Sequence, residues 1–142
     1  MKNLALMVCL GLAFCGWAQS EEMKKDIDGC PIFEMPEGDT VFTMKQYFFV
    51  MLKAGESRGQ DEAETAKIQE GHLAHLNSLG ESGKLCIAGP FGDDGDWRGI
   101  LIFKVPTEEE VRELVEADPA FKAGRLSYEV HPWWAGKGSK LD

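Results

Sequence analysis

Residues 99–115 read GILIFKVPTEEEVRELV, and this stretch decides the architecture. Gly99 to Val105 is an apolar run of strand length. Ile100 and Ile102 alternate with Leu101, Phe103 and Val105, so both faces of the strand are expected to be covered. Pro106 ends the run. Thr107-Glu108-Glu109-Glu110 then forms a capping box, in which the threonine hydroxyl accepts from the N–H three residues on. Val111, Leu114 and Val115 recur at i, i+3 and i+4, the apolar stripe of a helix. The helix is expected to end by Asp118, because Pro119 disfavours α geometry in the residue before it.

Outward from this stretch the same alternation repeats. On the C-terminal side, Arg125 to His131 alternates strictly: Leu126, Tyr128 and Val130 on one face, Arg125, Ser127, Glu129 and His131 on the other. On the N-terminal side, Leu85 to Ala88 is a short apolar strand, joined to the next by the Gly/Asp turn Gly89 to Asp96. Asp61 to Ser82 reads as a helix, with Asp61 as cap, Glu64 at the capping-box position and Gly83 as its stop. Lys45 to Leu52 carries the continuous run Tyr47-Phe48-Phe49-Val50-Met51-Leu52, a strand apolar on both faces. The order is β-α-β-β-α-β. Right-handed crossovers then give an α+β fold, a ferredoxin-like plait with an antiparallel sheet and both helices on one face. The other sheet face needs a cover, and a second copy of the chain is the simplest one, so a homodimer is expected.

The chain has 142 residues, 44% of them apolar and 27% charged, which suits one globular domain with a core of its own. Its 15 basic residues against 24 acidic ones give a formal charge of −9. Such a surface repels nucleic acid phosphates and anionic lipid heads, so no nucleic acid partner is expected. Residues 1–18 read as a secretory signal: Lys2, an apolar run from Leu4 to Phe14, and Gly16-Trp17-Ala18 before a cleavage point ahead of Gln19. The run is too short to span a bilayer. Cleavage would lower the charge from −9 to −10 and export the protein to the periplasm or beyond. Leu12-Ala13-Phe14-Cys15 resembles a lipid-attachment box, but bulky Phe14 stands where a small residue belongs. Residues 19–43 look like a polar N-terminal arm, 44–136 the domain, and 137–142 a C-terminal tail. Cys30 and Cys86 are expected to be free thiols, with a disulfide as the alternative in an oxidising compartment.

His72 falls near the middle of the apolar stripe of the first helix, among Ile68, Leu76 and Leu79; His75 lies nearer its edge. An imidazole on that face needs a partner, either a backbone group in a closed core or a functional one. Gly71 weakens the helix relative to alanine, which suits a close approach there. Asp118 is the natural carboxylate partner, although Asp118-Pro119 also fits an N-cap followed by Pro at the first helical position. A metal shared by His72 and His75 lacks further ligands on that face. The Gly89–Asp96 loop lacks the spacing of a calcium loop. His131-Pro132-Trp133-Trp134 either closes a pocket wall or packs on a partner chain.

Four motifs in order carry a resemblance. They are Gly71-His72-Leu73-Ala74-His75-Leu76, Gly83-Lys84-Leu85 with Ala88-Gly89-Pro90-Phe91, Ala117-Asp118-Pro119, and Val130-His131-Pro132-Trp133. Over roughly residues 44–136 the chain resembles YciI-like (YCII-related) proteins. The resemblance implies a dimeric α+β barrel and a His–Asp pair, here His72 and Asp118, as the catalytic site. Candidate ligand contacts around it are His75, Gly89, Pro90 and His131. The expected function is acid–base chemistry without a cofactor on a small, cyclic or aromatic molecule, by elimination, isomerisation or hydrolysis. A module that binds a small ligand without changing it is the alternative, and a scaffold held by its dimer interface a third.

Overall fold

The computed structural model describes residues 23–139 and residue 141. The expected signal segment and the start of the arm lie outside the described residues. The chain order is β1 (Ile32–Glu37), β2 (Thr40–Ala54), α1 (Glu62–Glu81), β3 (Leu85–Pro90), β4 (Trp97–Phe103), α2 (Glu108–Glu116), α3 (Pro119–Lys122) and β5 (Leu126–Gly136). All pairings are antiparallel. Long β2 is the sheet's centre: β5 runs along one edge of it, and β1 and then β4 share the other, with β3 beyond β4. Leaving β1 aside, the strand order β3-β4-β2-β5 is the α+β plait expected from the sequence.

The helices form where their caps place them. Asp61 accepts from the Glu64 N–H at 2.8 Å, and Thr107 Oγ1 from the Glu110 N–H at 3.2 Å. Gly83, at φ +75°, takes the left-handed position that closes α1. Helices α1 and α2 pack on one face of the sheet. There Phe48, Val50 and Leu52 of β2 and Leu101 and Phe103 of β4 meet Leu79, Val111 and Val115. On the other face stand Tyr47, Phe49, Met51, Ile100 and Trp133, half-buried or exposed, with no helix of the described residues over them. No described helix is long and apolar enough to cross a membrane.

Three expectations need correction. The arm is a hairpin from residue 32 onward: β1 pairs with the first half of β2 around Gly38-Asp39, and β2 starts at Thr40 rather than near Met44. Gly38 at φ +58° supplies the left-handed residue that a two-residue hairpin turn needs. Strand β5 continues past His131 to Gly136, so Pro132, Trp133 and Trp134 are strand residues. Pro132 is tolerated because β5 pairs only with β2 and therefore has an outer edge that needs no N–H. The tail does not leave the domain at once, since the Lys137 N–H donates to the Thr43 carbonyl at 2.8 Å.

A buried ion cluster ties the segment before β1 to the sheet. Lys45 and Asp26 side chains are each 2% exposed, and Lys45 Nζ donates to Asp26 at 2.5 Å and Asp28 at 2.6 Å. Burial would raise the Asp26 carboxyl, but the Lys45 bond and the N–H groups of Cys30 and Asp28 outweigh it and hold it below its ordinary value. The Lys45 bond likewise lowers Asp28. Cys30, fully buried beside them, is a free thiol, as is exposed Cys86.

Candidate active site

Gly71 brings the site together. A Cβ at that position would sit 3.0 Å from Pro119 Cγ and 3.2 Å from its Cβ, so α1 and α3 touch there closely enough to exclude a methyl group. The residues next in sequence, His72 on α1 and Asp118 before Pro119, are thereby set side by side. His72 Nδ1 and Asp118 Oδ2 are 2.6 Å apart, with the two side chains 12% and 6% exposed. The second Asp118 oxygen, Oδ1, accepts from the Ala120 N–H at 2.7 Å, so the same carboxylate caps α3. Burial acts to raise the Asp118 carboxyl. The bonds from His72 and Ala120 act the other way and prevail, so it lies below its ordinary value and is ionised at neutral pH.

His72 lies in the wall of a cavity of about 710 Å³ between α1 and the β3–β4 side of the sheet. Ile68, Leu76 and Leu101 give it an apolar lining, and Gly89, Pro90 and Gly99 bring backbone to its edge. Of the expected ligand contacts, Gly89 and Pro90 line this cavity. His75 and His131 do not. His75 Nε2 donates to the Leu114 carbonyl at 2.8 Å and so fastens α1 to α2. His131 is paired with Phe49, on the sheet face away from the helices, and its side chain is 62% exposed beside Glu129.

Three arginines absent from the sequence expectation also line the cavity: Arg58, Arg98 and Arg125. Arg58 Nη1 donates to the Arg125 carbonyl at 3.1 Å. Arg125 Nη1 donates to Gln60 Oε1 at 2.9 Å and contacts Thr65 Oγ1 at 3.4 Å. They come from a loop, the inner strand β4 and the residue before β5, so no local pattern announces them. The backbone holding them is tightly set. A Cβ on Gly55 would lie 2.2 Å from the Gly124 carbonyl oxygen, and the Gly55 N–H donates to the Arg125 carbonyl at 2.8 Å.

The model of the YCII-related domain family matches residues 47–134, more than half of the chain. No curated protein matches. Nine chains of solved structures match. Among them is 5-chloro-2-hydroxyhydroquinone dehydrochlorinase (TftG) from Burkholderia phenoliruptrix AC1100, in complex with 2,5-dihydroxybenzoquinone. It is 29% identical, the match covers 66% of this chain and 99% of that one, and the TM-score is 0.49.

Proposed function

We propose that this chain, which belongs to the YCII-related domain family, is a small enzyme that moves a proton on a compact cyclic or aromatic molecule. The observation that carries this reading is the 2.6 Å contact between His72 Nδ1 and Asp118 in the wall of a largely apolar cavity. An ionised carboxylate only accepts hydrogen bonds, so the proton between the two groups belongs to Nδ1. The neutral ring then carries its lone pair on Nε2, which makes no hydrogen bond to any described residue. Asp118 fixes both the tautomer and the ring orientation and stabilises the imidazolium that forms when Nε2 takes a proton. The apolar lining supports a flat carbon ring as the occupant. Export to the periplasm or beyond, on the signal-like residues 1–18, is part of the same proposal.

The test is Asp118→Asn in a turnover screen against small cyclic and aromatic molecules. Asparagine caps a helix as well as aspartate does, so α3 should survive. Turnover should fall by about 10²–10⁴-fold, the usual worth of general acid–base help. Stability should fall by about 1.5–3 kcal/mol, the loss of one charged hydrogen bond. Loss of activity only in proportion to loss of folded protein would refute a catalytic role, and binding without turnover by the wild type would make this a binding module.

The bare sheet face supports a homodimer within the same proposal. Tyr47, Phe49, Met51, Ile100 and Trp133 form a continuous apolar surface there, larger in kind than scattered exposed side chains. Sedimentation of Phe49→Glu should show monomer where the wild type shows dimer. A monomeric wild type would refute it.

A further inference from the structure

We infer that the cavity beside His72 takes its occupant by an anionic group, a carboxylate or an oxyanion of similar charge, held by Arg58, Arg98 and Arg125. The inference rests on the proposed function only for where the reacting ring sits. The chain carries 24 acidic residues against 15 basic ones, yet three arginines meet at this one cavity. Among the described residues, no carboxylate lies within ion-pair distance of any of the three. The acceptors that Arg58 and Arg125 do have, a backbone carbonyl, an amide oxygen and a hydroxyl, are neutral. Arg98 Nε is buried with no hydrogen-bond partner among the described residues. Burial and the repulsion of Arg125 and Arg98 depress the Arg58 guanidinium. Like charges gathered without a counter-charge repel one another, and a bound anion offsets that repulsion.

The spacing suits a substrate of one ring. Thr65, beside Arg125, and His72 are on the same helix, about 10 Å apart along its axis at 1.5 Å per residue. Glu81, the acidic residue that also lines the cavity, lies about 24 Å along the axis from Thr65, at the opposite end. A molecule with its ring against Ile68 and Leu76 at His72 would direct an acidic substituent toward the arginines. Guanidinium groups match the planar, two-oxygen face of a carboxylate better than an ammonium does.

The experiment is an NMR titration of isotopically labelled protein with benzoate and with benzamide, which share a shape and differ in charge. Benzoate should bind at least about 10-fold more tightly, the worth of one charged hydrogen bond. The moving amides should be those of Gly89, Gly99 and Ala120. The preference should collapse in Arg98→Gln, whose own spectrum reports whether it is folded. If it is not, Arg58→Gln, in an exposed loop, replaces it. In His72→Ala the benzoate preference should persist although turnover is lost, which separates anion binding from proton transfer. Equal affinity for the two probes, absence of saturable benzoate binding, or a preference that survives both arginine substitutions would overturn the inference.

Discussion

Replacing Gly71 with alanine sets two effects against each other whose signs differ. In an unconstrained helix, alanine gains up to about 1 kcal/mol over glycine. Here its methyl would lie 3.0 and 3.2 Å from two Pro119 carbons, where ordinary carbon contacts begin near 3.5 Å. Relief requires α1 and α3 to part by about 0.5 Å, and overpacking of that kind costs about 1–3 kcal/mol. The net expectation is a loss of about 0–2 kcal/mol. The same movement stretches the 2.6 Å His72–Asp118 contact to about 3.1 Å, the outer part of the hydrogen-bond range. Since that bond is the main opponent of burial at Asp118, the carboxyl should titrate at a higher pH in Gly71→Ala than in the wild type. Carbon-detected NMR titration of Asp118, with urea denaturation beside it, reads both quantities. A gain in stability of about 1 kcal/mol with an unchanged Asp118 titration would refute the argument that Pro119 needs a glycine opposite it.

Other outcomes follow from features away from the cavity. Asp26→Asn leaves buried Lys45 with Asp28 as its remaining charge partner and should destabilise by about 3 kcal/mol, the low end for breaking a buried pair. Because Asp26 and Asp28 titrate below their unfolded values, their stabilisation is fully present above about pH 4 and is lost as pH falls through the depressed values. Acid unfolding monitored by circular dichroism should therefore move less with pH in Asp26→Asn than in the wild type. Cys30, buried within its own chain, should resist a thiol reagent in the native protein and be labelled after unfolding; native labelling of Cys30 would contradict its burial. Thr107→Ala should cost about 1 kcal/mol in thermal denaturation by removing the α2 cap.

The order of the plait was legible because its signals are local. Asp61 with Glu64, and Thr107 with Glu110, mark helix starts, and the apolar runs around Val50 and Ile102 mark strands that need cover on two sides. Strand ends were less so. Pro36 and Pro132 argue against strands on propensity alone, and both are accepted here on strands that keep a free edge. His72 and Asp118 could be paired because each breaks a local expectation, one as an imidazole in an apolar stripe, the other as a carboxylate between a helix end and a proline. Nothing local gathers Arg58, Arg98 and Arg125, or sets Lys45 against Asp26. Those meetings depend on the pairing of β2, β4 and β5, and on the chain before β1 lying against Lys45 of β2.

Asp118 spends one oxygen on His72 and the other on the Ala120 amide. Release of the short helix α3 therefore frees the carboxylate that orients the ring. The exchange rate of one backbone proton, that of Ala120, becomes a gauge of how much of a preparation has an assembled site at any instant, readable before any substrate is known.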